Sequence, residues 1–178
     1  MPFFPSLPAS AGIGELWTLN PELRRPMHEL GRAIMRGPSP LSPAQRETIA
    51  AYVSSLNRCD YCFNGHSQMA VNLGVERATI ERLIDDADSA PVEEAFKPIL
   101  RYVKKLTLAP HTIAQADADA VYKAGWSERA LHDAILVCCR FNFMNRLSLG
   151  HGLDPQAASA DERARRMGYA QEPKAPTE

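Results

Sequence analysis

An all-α single domain of about seven helices is the fold this sequence predicts. Three observations carry the prediction. Apolar residues recur at steps of three and four in one segment after another. No period-two strand pattern stands out. Proline and glycine signals separate the periodic segments at helix-like lengths. The 178 residues include enough apolar side chains for one real core.

Residues 1–20 read as an N-terminal arm, rich in proline and small residues, with Phe3, Phe4, Leu7 and Trp17 as apolar anchors; it is either laid across a neighbouring subunit or a partly ordered tail. The helical domain spans 21–153. Leu23, Met27, Leu30 and Ile34 make 21–36 amphipathic, with Pro26 expected to kink or restart the helix. Gly37-Pro38-Ser39-Pro40 is a linker. Ser42, Pro43 and Gln45 form a capping box with proline at the first helical position, and Ile49, Val53 and Leu56 continue the stripe. Asn57-Arg58 breaks that helix, and a second runs from about Cys59 to Leu73, where Gly74 supplies a left-handed cap.

Glu76–Asp86 is a short helix with Ile80, Leu83 and Ile84 inward. Phe96, Ile99, Leu100, Val103 and Leu106 predict a helix to Leu108, with Pro98 in its first turn. A shorter helix over 114–124 ends at Gly125, and Trp126 packs back over that turn. The last major helix, 127–149, is apolar nearly all round in AILVCCRFNFM, so it reads as buried, with Cys138 and Cys139 in the core. Asn142, Asn145 and Arg146 then either cross-link helices or line a pocket. His132 and His151 show no partner signal. Residues 154–178 form a C-terminal tail in which Arg163, Arg165 and Arg166 finish a short surface helix and the last eight residues are disordered.

A net charge of −1 argues against a nucleic-acid or membrane-surface partner. The N-terminus lacks a signal-peptide pattern, and no run reaches the length of a membrane span, so the cytoplasm is the expected compartment. There a C-x-x-C pair is catalytic or metal-binding more often than a permanent disulfide.

That pair is Cys59 and Cys62, within a dense segment from Glu47 to His66. Cys59, Cys62, His66, Met69 and Leu73 share one face of the predicted helix, and that face is the apolar, inward one. Glu47 lies on the preceding helix among Ala50, Ala51 and Ser54, small residues that let another helix come close. A thiolate is favoured at a helix N-terminus, where Cys59 is expected, and beside an imidazolium, which His66 offers to Cys62. Glu47 is placed to exchange a proton with the other thiol, directly or through water. Two rival readings use the same residues. The cysteines and histidine pack as core, or two Cys, His and Glu hold zinc; no second C-x-x-C or H-x3-H supports the zinc site.

The E-x11-C-x-x-C-x3-H pattern, PLSPAQRE before it, YCFNGHSQMAVNLGV through it and FNFMNRLSLGHGL near the end resemble the alkylhydroperoxidase D and carboxymuconolactone decarboxylase-like superfamily. The likeness is greatest to the branch labelled peroxidase-related and covers roughly 20–153. It implies an all-helical, cofactor-free homo-oligomer, a trimer or hexamer with a dimer as the alternative, that reduces a hydroperoxide or similar small molecule and is recycled by a thiol reductant. By position, Cys62 is the attacking thiol, Cys59 the resolving one, and Glu47 and His66 relay protons. The best-studied redox members carry a second histidine where this chain has Tyr61, a poorer proton carrier near neutral pH that here counts as a possible pocket residue. Two other functions fit the superfamily or the motif: a non-redox decarboxylase-like enzyme, and a binding or redox-sensing protein whose disulfide acts as a switch.

Overall fold

The computed structural model describes residues 2–166. Among them are nine α-helices and three 3₁₀ turns, with no strand. The helices are α1 (Ile13–Leu16), α2 (Arg24–Arg36), α3 (Pro43–Leu56), α4 (Asp60–Asn72), α5 (Arg77–Asp85), α6 (Lys97–Leu108), α7 (Gln115–Lys123), α8 (Glu128–Gly150) and α9 (Ala160–Arg166). None is long and apolar enough to cross a membrane. The expected disorder of the last eight residues lies outside the described residues.

Helix α3 is the axis of the fold. Its start follows from the capping box: the Gln45 N–H donates to Ser42 Oγ at 3.1 Å, and the Ser42 N–H donates to Gln45 Oε1 at 2.9 Å. From Arg46 through Ser54 every residue is buried. Ala50, Ala51 and Ser54 let helices approach from several sides, and α2, α4, α5, α6 and α8 all pack on it. The helix buried all round is therefore α3. Helix α8 has one wet face, so the expectation of full burial there is corrected: Phe143 is 50% exposed, and Cys139, read as core, lies on the surface. Cys138 is buried, as expected.

Other elements differ in detail. Periodicity shows that an apolar stripe exists, not that its ends are covered: Leu23, Leu30, Leu73 and Ile84 remain exposed. Pro26 neither kinks nor interrupts α2, because a 3₁₀ turn at Pro21–Leu23 comes first and the α-helix begins only at Arg24. Gly74 and Gly125 take φ of 96° and 95°, the left-handed turns that end α4 and α7. Trp126 packs back as predicted, with Nε1 donating to the Ala95 carbonyl at 2.6 Å.

The arm is not simply extended. It contains α1 and folds onto its own chain, where Leu7, Ala11, Leu16 and Leu153 form a small second core. The Phe3 N–H donates to the His151 carbonyl at 2.9 Å, and Phe4 stacks on His151 with ring centroids 4.5 Å apart. His151 thus has a partner that the sequence did not signal.

The turn between α3 and α4 is tight. Arg58 adopts φ 54°, and the Cys59 N–H donates to the Ser54 carbonyl at 2.9 Å. Helix α8 clamps this turn from behind. Asn57 Nδ2 donates to Asn142 Oδ1 and Asn145 Oδ1 at 3.1 and 3.0 Å, and Asn145 Nδ2 donates to Ser54 Oγ at 3.0 Å. Arg146 completes the cluster by donating to Asn142 Oδ1 at 2.9 Å. Asn145 is fully buried. Replacing it with Ala strands buried polar partners on α3 and on the turn. Asn145→Ala is expected to cost about 1–3 kcal/mol, read as a lower urea midpoint with unchanged slope.

Candidate active site

The two cysteines sit at the start of α4, with Cys59 as its N-cap residue and Cys62 one turn in. Both are buried free thiols. Their environments differ. Cys62 and His66 form part of the wall of a 970 Å³ cavity, which is bounded by the arm, α2, α4, α8 and the α9 segment. Cys59 has no exposed surface and lies behind that wall.

Electrostatics separate the thiols further. The Cys62 thiol is held well below the usual thiol range, first by a hydrogen bond from Cys59, then by Ser148, by the charge of His66 and by Asn145, against the cost of burial. Ser148 Oγ lies 3.3 Å from Cys62 Sγ. Cys59 is pushed in the opposite direction, because it gives its proton to that same hydrogen bond and because it is buried. The helix N-terminus was expected to favour a Cys59 thiolate. Burial and the donated hydrogen bond outweigh it.

His66 is fixed from two sides. Its Nδ1 is 2.7 Å from Glu47 Oε2, and its ring meets Phe141 edge-on with centroids 4.3 Å apart. Glu47 has no exposed surface, and Arg36 Nη2 donates to its Oε1 at 2.7 Å. Both carboxylate oxygens are thus engaged, one by Arg36 and one by His66. Glu47 was expected to serve Cys59; its direct partner is His66 instead. Among the described residues no group of three or more His, Cys, Asp and Glu side chains has the geometry to hold a metal ion.

Of the four proposed pocket residues, Tyr61 lines the cavity, while Asn142, Asn145 and Arg146 belong to the clamp behind Cys62. The Tyr61 hydroxyl accepts the Ile13 N–H at 3.2 Å, so it ties the arm over the site, and burial raises its pKa. Three contributors escaped the sequence reading as site residues: Arg36, Ser148 and Arg163. Ser148 had a usable signal, since it lies three residues after Asn145 on the same face of α8. Arg36 had none, because its partner Glu47 lies across a linker.

The geometry has a direct consequence for reactivity. In reduced protein, Cys62 is expected to react with iodoacetamide well below pH 8.5, where an ordinary thiol is mostly protonated. Ser148→Ala removes one donor to the thiolate and should move the midpoint of the alkylation profile upward. Cys138, which burial pushes up to about 11, should remain unlabelled across the same range.

Known proteins share this fold. The carboxymuconolactone decarboxylase family model matches residues 21–104. An uncharacterized peroxidase-related protein from Silicibacter sp. TM1040 superposes with a TM-score of 0.77 at 26% identity, covering 87% of this chain and 79% of that one. A second peroxidase-related protein with an alkylhydroperoxidase AhpD core, from Ralstonia eutropha JMP134, superposes with a TM-score of 0.75 at 20% identity, covering 86% of this chain and 78% of that one. A cysteine-to-alanine variant of the debrominase Bmp8, solved with 2,3,4-tribromopyrrole, shares the fold with a TM-score of 0.70 at 19% identity, covering 84% and 79% of the two chains. No curated protein matches the sequence. With its helical fold, its family match over residues 21–104 and these neighbours, the chain is similar to the alkylhydroperoxidase D and carboxymuconolactone decarboxylase-like superfamily.

Proposed function

We propose that this protein is a cofactor-free dithiol peroxidase that reduces hydroperoxides through Cys59 and Cys62. One observation carries the reading: of two cysteines three residues apart, only Cys62 opens on the cavity, and it is the one whose thiolate is favoured. The peroxidase-related neighbours point the same way.

In the first step the Cys62 thiolate attacks the terminal peroxide oxygen. The S–O bond forms as the O–O bond breaks, the sulfur is oxidised to a sulfenic acid, and the alkoxide leaves as the alcohol after taking a proton. His66, in the same wall and oriented by Glu47, is the donor of that proton. In the second step Cys59 attacks the Cys62 sulfur. The disulfide forms and the sulfenic oxygen departs as water, carrying the Cys59 thiol proton. A thiol reductant then returns two electrons and two protons. The raised pKa of Cys59 suits this order, since its proton stays in place to stabilise Cys62 until the sulfenic acid exists. A cytoplasmic setting would keep the pair reduced between turnovers.

Single-turnover kinetics test the assignment. Cys62→Ser is expected to consume no peroxide. Cys59→Ser should consume one equivalent and stop, with a sulfenic acid on Cys62 that dimedone traps and mass spectrometry locates. Full reactivity in both variants would remove the motif from peroxide chemistry, and the reverse pattern would exchange the two roles.

A further inference from the structure

One side of the cavity is built differently from the rest of its wall. Pro8, Ala11, Gly12, Ile13, Glu15 and Trp17, all from the N-terminal arm, line it together with Cys62 and His66. The other sides belong to helices packed in the bundle: α2 lies against α3 and α8, and α9 lies against α4. The four-residue α1 lies along none of them. The arm instead buries Leu7, Ala11 and Leu16 against Leu153 in a core of its own, and of its side chains Ile13 also packs against the main core.

A hydrogen bond fastens this cover beside the reactive sulfur. The Tyr61 hydroxyl accepts the Ile13 N–H at 3.2 Å, and Tyr61 directly precedes Cys62 in the chain. The approach is close. A Cβ on residue 12 would stand 2.7 Å from the Tyr61 hydroxyl oxygen, so the arm seats on Tyr61 because that residue is glycine. The Tyr61 ring is held in turn, with the Arg163 guanidinium carbon 5.1 Å from its centroid.

As built, the site is open to one kind of reactant and closed to another. Cys62 is 5% exposed, His66 is 6% exposed, and Cys59 has no exposed surface. A peroxide oxygen is about the size of a water oxygen and reaches such a sulfur. A thiol that attacks a disulfide must bring its own carbon skeleton up to one of the two sulfurs, and neither is open enough for that.

We propose that residues 8–17 form a lid over Cys62, that the Tyr61 hydroxyl is its latch, and that the lid must lift before a thiol reductant meets the Cys59–Cys62 disulfide. The last clause rests on the function proposed above; the lid and its latch do not. Lifting breaks the bond between Ile13 and Tyr61 and opens the small core at Leu153 while α3 and α4 stay packed, so it is a local opening and not an unfolding. Tyr61 acts on the entrance and takes no part in the bond changes at sulfur.

Native-state hydrogen exchange on the full-length chain reads the lid directly. The Ile13 amide is expected to exchange roughly a hundredfold or more faster than the amides of α3, through an opening that leaves α3 protected. Access to the thiol is read with N-methylmaleimide and N-(1-pyrenyl)maleimide on reduced protein, with the label on Cys62 followed by peptide mass spectrometry. The two reagents share one chemistry and one thiolate and differ in bulk. A cavity of 970 Å³ holds either once inside, so the ratio of their rates reports the entrance. Tyr61→Phe removes the acceptor and should raise the pyrenyl rate about fivefold, the response of an opening equilibrium to one net hydrogen bond, with the methyl rate nearly unchanged. Gly12→Ala should act in the same direction by wedging the arm away from Tyr61. A change in the Cys62 thiolate would move both reagents together. An Ile13 amide as slow as those of α3, both maleimides labelling the wild type alike, or a ratio unmoved in both variants overturns the lid. If Tyr61→Phe does not fold, Gly12→Ala decides in its place. Cumene hydroperoxide is the separate control: failure to oxidise Cys62 overturns the peroxidase reading and leaves the lid result standing. If both hold, thioredoxin, as a protein dithiol, should reduce the disulfide made with diamide faster in Tyr61→Phe than in the wild type, and equal rates overturn the need for the lid to lift.

Discussion

A carboxylate with no exposed surface sits at the centre of this protein, and the placement of His66 depends on it. Glu47 is tolerated there because Arg36 and His66 each take one of its oxygens at 2.7 Å. Those contacts tie three helices together. Arg36 ends α2, Glu47 lies just over a turn into α3, and His66 lies between one and two turns into α4. The α2 end is itself held by Arg46, which donates from Nη1 to the carbonyls of Ile34 and Gly37 at 3.0 and 2.8 Å. Small residues on α3 allow the close approach that these short bonds require.

From that anchor the fold sets two chemically identical side chains in different environments. Cys59 and Cys62 differ only in surroundings. One faces the cavity with Ser148 as a donor beside it; the other is sealed behind it and keeps its proton. The asparagine clamp from α8 supports this division without touching the cavity, since it holds the turn from which Cys59 begins the helix.

What the sequence made legible was local. The Ser42 and Gln45 capping box and the glycines that end α4 and α7 have their predicted geometry, and of the C-x-x-C-x3-H face Cys62 and His66 share the cavity wall while Cys59 lies behind it and Leu73 is exposed. What it concealed depended on contacts between distant segments. Arg36 meets Glu47 across a Pro-rich linker, and Arg163 enters the wall from a segment where apolar periodicity has already faded. Helix α8 misled for a related reason. Composition reports how apolar a helix is, but only its neighbours decide which side is covered, and Cys139 and Phe143 fall on the side that is not.

The left-handed backbone at Arg58 places a small stored cost beside the candidate site. An L-residue with a Cβ in that mirror-image region gives up roughly 1–2 kcal/mol relative to the right-handed one. The chain accepts it so that two helices can reverse direction between Asn57 and Cys59 and bring Glu47 and His66 face to face. Glycine would occupy the position without that penalty, at the expense of a looser unfolded chain. Among the described residues the shortest link between two α-helices is therefore one that arginine makes at a cost in the folded chain and glycine would make at a cost in the unfolded one.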